Sequence, residues 1–233
     1  MGDQRSSFYD SSTWKEWSEL AITKAYNANR VSRVNTSLAQ IYEISGFLSE
    51  LQCSRIIIAI NTNLRSSYAT GFGGARTSRT CELWRVEPEL SQALDCQIAE
   101  LMGVHPSYSE PIQGQRYDQG EFFKPHTDYF SPLFIDDFEK HTAVGGQRTW
   151  TVMIYLNDVY EGGQTVFHRL DKSYQPKAGL ALAWNNLYAD GRLNRDTLHE
   201  SLPVLGGSKW VLTKWFRARR GLNSLRPSPF DED

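Results

Sequence analysis

The strongest constraint on the fold of this chain is a change of hydrophobic period near residue 110. Beyond it come GQRY (114–117), RTWTVMIYLND (148–158), QTVFH (164–168), GLALAWNN (179–186) and KWVLTKWFR (209–217). These runs are short, β-branched and aromatic, with Gly, Asp or Asn between them, which is the pattern of strands and turns. In TWTVMIYL both alternating faces are apolar, as expected of a strand covered on both sides. Upstream the period is helical. SELQCSRIIIAIN (49–61) puts Leu51, Ile56, Ile57 and Ile60 in a buried helix. From Glu87 to Met102, Leu90, Leu94, Ile98 and Leu101 form an apolar stripe, with Pro88 suited to a first turn. Helices first and strands afterwards predict a mainly β protein, a sheet core with helices on its outer face.

Residues 1–39 read as an N-terminal extension, 40–220 as one domain and 221–233 as a polar tail. In the extension, Trp14, Trp17, Leu20 and Ala21 share a helical face that suits either packing on the sheet or a homodimer contact. With 25 Lys+Arg against 27 Asp+Glu, the chain lacks the basic excess of a nucleic-acid binder. The longest apolar runs, Ile56–Ile60 and Leu180–Trp184, fall well short of the roughly 18 residues of a membrane span. The opening MGDQRSSFYDSSTWKEW has no apolar segment of the secretory kind. Cys53, Cys81 and Cys96 form no CxxC pair, so neither a disulfide framework nor a zinc–thiolate site is expected. A reducing, cytoplasmic setting follows as the expectation. The five histidines remain as metal-ligand candidates.

His126-Thr127-Asp128 ends the strand-like segment RYDQGEFFKPHTDYF (116–130). Residues two apart on an extended chain point to one face, so imidazole and carboxylate can converge on one ion. His199, in DTLHESLP, is the best-placed third ligand. Two His and one carboxylate on one side of an ion leave positions open, the arrangement of non-haem Fe(II) oxygenases. A zinc hydrolase would use a similar set but would need a general base as well. Ten residues after His199, Lys209 opens the strand KWVLTKWFR, sharing one face with Val211, Thr213, Trp215 and Arg217. A lysine aimed inward needs an anion, because a buried unpaired ammonium is costly. The alternative is a lysine at the strand mouth with its head in water. The basic cluster Lys214, Arg217, Arg219, Arg220 faces an acidic PFDED tail and reads as a solvated end.

The ordered set Tyr117, His126-x-Asp128, Arg148-x-x-Thr151, YLND (155–158), GGQTVF (162–167), His199 and Lys209 resembles the prolyl 4-hydroxylase-type Fe(II)/2-oxoglutarate dioxygenases. IYEISGFLSELQC (41–53) and RTSRTCEL (76–83) resemble the family's entry strand, first helix and Arg-x-Ser strand. The resemblance implies a double-stranded β-helix (jelly-roll, cupin-like) core. It implies Fe(II) on His126, Asp128 and His199, and Lys209 on the distal carboxylate of 2-oxoglutarate, helped by Tyr117 and Thr151. It further implies an enzyme that consumes 2-oxoglutarate and O2, releases succinate and CO2, and hydroxylates a prolyl residue in a peptide or protein. Ascorbate would serve as reductant. Asp128 favours hydroxylation over halogenation, since a small residue there would open a halide site. Arg76, Arg148, Trp215 and Arg217 stand where substrate contacts are implied.

Three positions depart from the family pattern: Gln164 where Glu is common, Phe123 in place of a Tyr of some peptide-hydroxylating members, and Glu200 where a small residue follows the second His. They bear on substrate rather than cofactors. A free amino acid or another small metabolite is therefore the alternative substrate, and a cupin-like metal-binding module without turnover is the non-enzymatic alternative. GFGGARTS (71–78) lacks the strand–GxGxxG–helix context of a nucleotide site and reads as a loop, a lid over the iron. His105, His141 and His168 fit no ligand spacing.

Overall fold

The computed structural model of the chain describes residues 30–67 and 76–220. The Trp14/Trp17 patch, residues 71–75 of the glycine-rich loop and the acidic tail lie outside them. In chain order the elements are β1 (Val31–Arg33), β2 (Ile41–Ile44), α1 (Glu50–Asn61), β3 (Arg65–Ser66), β4 (Arg79–Glu82) and α2 (Pro88–Met102). They continue with β5 (Gln113–Tyr117), β6 (Phe123–His126), α3 (Ile135–Thr142), β7 (Arg148–Tyr155), β8 (Thr165–Phe167) and β9 (Lys172–Tyr174). The last are β10 (Ala181–Asn185), β11 (His199–Ser201) and β12 (Lys209–Arg217).

Two antiparallel sheets form the jelly roll. The larger has the order β1-β2-β10-β7-β12-β5-β4-β3 and the smaller β6-β11-β8-β9. Strand β7 is buried along nearly its whole length because each face has its own partner layer. Trp150, Val152 and Ile154 join Ile56 and Ile60 of α1 and Leu94, Ile98 and Leu101 of α2 in an outer core. Met153 and Tyr155 point the other way, into a second core with Ile41, Phe167, Trp184 and Val211. Strand β12 divides the same way, with Trp210, Leu212 and Phe216 in the outer core and Val211 in the inner one. Helix α1 starts on a capping box between Ser49 and Gln52. Helix α2 starts on Pro88 and stops at Gly103, whose φ of 66° closes the helix in the left-handed region. No described helix is long and apolar enough to cross a membrane.

Several expectations are corrected. Leu51 is on the solvent side of α1, 71% exposed, and Cys53 and Ala59 take places in the buried stripe with Ile56 and Ile60. The stretch 116–130 is not one strand: it breaks after Tyr117 into a turn around Gly120 (φ 83°) and resumes at Phe123. The sheet begins upstream of residue 40, since β1 pairs with β2 through Val31↔Ile44 and Arg33↔Tyr42. Helix α3 has no counterpart in the sequence reading. Lys214 and Arg217 are no solvated end, for both are buried on β12. Lys214 Nζ lies 2.5 Å from Asp95 on α2, tying the helix layer to the centre of the sheet. Asp95→Ala leaves that ammonium without its carboxylate, and urea unfolding should report a loss of about 3 kcal/mol, the lower end for breaking a buried pair. A loss under about 0.5 kcal/mol, as for an ordinary surface substitution, would contradict this role.

Candidate metal centre

The metal-ligating candidates meet where the small sheet faces the large one. His199 on β11 is the register partner of His126 on β6, and the two ring centroids are 4.3 Å apart. Asp128 follows just past the end of β6. One ligand atom from each of His126, Asp128 and His199 lies within 4.8 Å of the other two. His126 Nδ1 is 2.8 Å from the Lys124 carbonyl and His199 Nδ1 is 2.9 Å from that of Thr197. A carbonyl only accepts, so each Nδ1 carries a proton and each Nε2 is the ring nitrogen left to face the centre. Burial and the neighbouring His199 push His126 down to about 3, so its imidazole is neutral at physiological pH. Burial works against the Asp128 carboxylate, but His199, His126, Arg148 and the Thr151 hydroxyl outweigh it and hold the group below its ordinary range. A neutral His126 imidazole beside an ionised Asp128 carboxylate matches the protonation states a divalent metal requires.

Thr151 corrects the sequence reading. Its hydroxyl does not face the lysine; it donates to Asp128 Oδ2 at 2.6 Å and accepts from Asn186 Nδ2 at 3.0 Å. It therefore orients a ligand instead of touching a keto acid. Thr151→Val should lower metal affinity by about 10–100-fold, the usual cost of losing such a partner. Thr151→Ser should restore it, both read by metal titration; a Val variant that binds like wild type would remove Thr151 from this role.

Lys209 faces inward, fully buried, across from Tyr117 on β5. Nζ donates to Ser201 Oγ at 2.8 Å and lies 3.4 Å from Thr165 Oγ1, between the Tyr117 and Tyr155 rings at 5.4 and 5.6 Å. It meets no carboxylate among the described residues, and burial pushes it down to about 7. A buried cation without an anion is the mark of a site completed by one. Ser201 is two residues beyond His199 on one face of β11, so the ammonium is anchored roughly 7 Å along the strand from that ligand. That separation suits a five-carbon dicarboxylate reaching from metal to lysine. The residues present thus fit both Fe(II) and 2-oxoglutarate. Ser201 and Thr165 were not among the expected site residues. The period of two after His199 is the sequence signal for Ser201, and Thr165 is its register partner.

Arg148 and Arg217 do not reach into the cavity. Both pair with Glu110: Arg148 through Nε and Nη2 at 2.6 and 2.7 Å, Arg217 through Nη1 at 2.9 Å. Against burial, these two guanidiniums hold the Glu110 carboxyl below its ordinary range. Arg148 also lies 3.9 Å over the Trp215 ring and 3.4 Å from the Asp128 carbonyl, so it braces the cavity wall. Trp215 itself lines the cavity, and its buried indole N–H has no partner among the described residues. Arg76 stands at the rim over Phe123, which stacks on the His126 ring at 3.6 Å. Glu200 turns toward His168, 2.7 Å from its Nε2. All three cysteines are free, and burial raises each thiol, so none competes as a metal ligand.

Comparison with known proteins agrees with this geometry. Residues 112–217 match the family model described as the 2OG-Fe(II) oxygenase superfamily. The chain is 34% identical over 157 residues to prolyl 4-hydroxylase subunit alpha-1 of Rattus norvegicus, covering 67% of this chain but 29% of that protein. It is 32% identical over 196 residues to prolyl 4-hydroxylase 5 of Arabidopsis thaliana, covering 73% of this chain and 65% of that one. Among solved structures, the viral collagen prolyl hydroxylase from Paramecium Bursaria Chlorella virus-1, in its 2OG complex, superposes with a TM-score of 0.60. The two share 25% identity over 76% of this chain and 95% of that one. Sequence, fold and the His/Asp/His cluster coincide over the same residues: 112–217 form a 2OG-Fe(II) oxygenase domain, and the chain is homologous to the prolyl 4-hydroxylases.

Proposed function

We propose that the protein hydroxylates prolyl residues in a peptide or protein, with His126, Asp128 and His199 holding Fe(II) and Lys209 holding 2-oxoglutarate. The observation that carries the reading is the buried ammonium of Lys209, which meets no carboxylate among the described residues and is anchored on Ser201, two residues along β11 from His199. When bound, Fe(II) and 2-oxoglutarate supply the oxidation: O2 is reduced as the keto acid goes to succinate and CO2, and one oxygen enters a substrate C–H bond. The chain's own residues arrange this chemistry. The Lys124 and Thr197 carbonyls fix the imidazoles, and Thr151 with Asn186 fixes Asp128. Lys209, Ser201 and Thr165 form the anion seat, with Tyr117 and Tyr155 walling it from water. Phe123, Arg76 and Trp215 are left to face the substrate. A reducing, cytoplasmic setting belongs to the same reading, supported by three thiols that stand free.

The test is turnover. The protein is loaded with Fe(II) without oxygen, then given 2-oxoglutarate, ascorbate and O2 with proline-containing peptides. Succinate formation together with a one-oxygen mass gain on proline is the expected result. Absence of succinate above background would overturn the oxygenase assignment. One-oxygen products on free amino acids but never on proline peptides would overturn the substrate.

A further inference from the structure

The inner face of the large sheet does not end at the metal cavity. Thr213 on β12 lies opposite Gln113 on β5, Gln115 opposite Thr80 on β4, and Thr80 opposite Arg65 on β3. Register partners share a face, so these side chains form one continuous surface two strands beyond the cavity. There it opens into a cleft of about 310 Å³ whose walls include Arg65, Ser67, Arg76, Thr80, Glu82 and Gln113.

The cleft is electropositive. Glu82, its one carboxylate, is ion-paired to Arg85. Arg76 donates to the neutral hydroxyls of Ser78 at 2.6 Å and Thr80 at 3.2 Å. Neither Arg65 nor Arg76 meets a carboxylate among the described residues, and residues 68–75 (YATGFGGA) contain no acid. Arg76 also borders the metal cavity, through the Phe123 ring stacked on His126. One guanidinium thus belongs to both spaces.

We propose that this cleft binds an acidic side chain of the peptide substrate, held between Arg65 and Arg76 while a nearby proline occupies the metal cavity. The proposal rests on the prolyl-peptide reading above and narrows it to acidic proline-containing segments. Arginine suits the task, since its planar fork takes a carboxylate through two parallel hydrogen bonds. The steps from His126 to Phe123 and from Phe123 to Arg76 measure 3.6 and 5.1 Å. An extended peptide advances about 3.3–3.6 Å per residue, so the two steps together place the acid roughly two to three residues from the proline.

The test uses the full chain and labelled peptides that differ in one residue, Glu, Gln or Lys, moved from two to six positions either side of the proline. Binding is read by fluorescence anisotropy with Mn(II) and 2-oxoglutarate present, and hydroxylation by mass spectrometry with Fe(II). Within a window of positions, Glu peptides should bind about tenfold tighter than Gln peptides, and salt should erode the difference. Arg65→Glu should transfer the preference to Lys peptides, and Arg65→Gln should abolish it. Both should leave peptide-independent succinate formation unchanged. Equal binding of Glu, Gln and Lys peptides at every position would overturn the cleft, as would a Glu preference that survives Arg65→Glu. The two readings fail separately. A reversible Glu preference without oxygen transfer removes prolyl hydroxylation and keeps the cleft; hydroxylation indifferent to charge does the opposite.

Discussion

Replacing Lys209 with methionine should raise the KM for 2-oxoglutarate by ~10²–10⁴-fold while leaving metal binding intact. The size follows from removing one partner of a buried ion pair, roughly 3–5 kcal/mol. The same change should make the protein free of 2-oxoglutarate more stable, because it deletes a buried ammonium that no carboxylate compensates. The pH dependence has a definite sign. Burial brings Lys209 down to about 7 in the folded chain, against 10.5 in the unfolded one. Between those values the unfolded chain holds a proton that the folded chain has released, so stability rises with pH, by up to ~1.4 kcal/mol per unit. Below about 7 both states are protonated and this contribution is flat. Urea unfolding of wild type and Lys209→Met at pH 7 and pH 9 isolates the term, since the rise should vanish in the variant. Saturating 2-oxoglutarate supplies the missing anion and should flatten the wild-type slope too. An unchanged KM in Lys209→Met would remove the lysine from the co-substrate site.

His126→Ala should abolish turnover, by ~1,000-fold or more, beyond the 10–100-fold expected for losing an orienting partner. The readout is double: succinate formation under saturating Fe(II), and metal-induced thermal stabilisation in the absence of substrate. Both should disappear while the fold persists, because His126 sits at the end of a short strand, partly exposed, outside both hydrophobic cores. A variant that keeps the full rate would refute the ligand assignment.

The parts of this molecule that repeat were legible in its sequence. Period two in β7 and β12 and the stripe of α2 place the sheet, its helix layer and the residues that share a face with Lys209, because side-chain direction is local geometry; that this face turns inward is seen only in the fold. What escaped depends on partners distant in the chain. Thr151 meets Asp128 only because the fold brings the two together, and no spacing encodes that. Arg148 and Arg217 look like free surface cations until Glu110 arrives from the segment before β5 to bind both. Likewise Lys214 acquires Asp95 from a helix more than a hundred residues upstream. Helix α3 has eight residues and exposed Phe134 and Ile135 at its start, too short a stretch for a periodic signal. Leu51 faces water although it lies next to the buried stripe.

The metal cluster and Lys209 are divided between the two sheets, joined by the hydrogen bond from Lys209 Nζ to Ser201 Oγ. Both histidines stand on strands of the small sheet, no more than four residues long, whereas Lys209 opens a nine-residue strand of the large one. Under the proposed reading, a dicarboxylate joining them would add a rivet through the sandwich beside the Lys209–Ser201 hydrogen bond. The proposed reaction would consume that rivet at each turnover, pinning the layers during chemistry and loosening them once per cycle. Amide hydrogens of β6 and β11 are then the natural gauge of the cycle, exchanging slowly in the loaded enzyme and faster when the seat is empty.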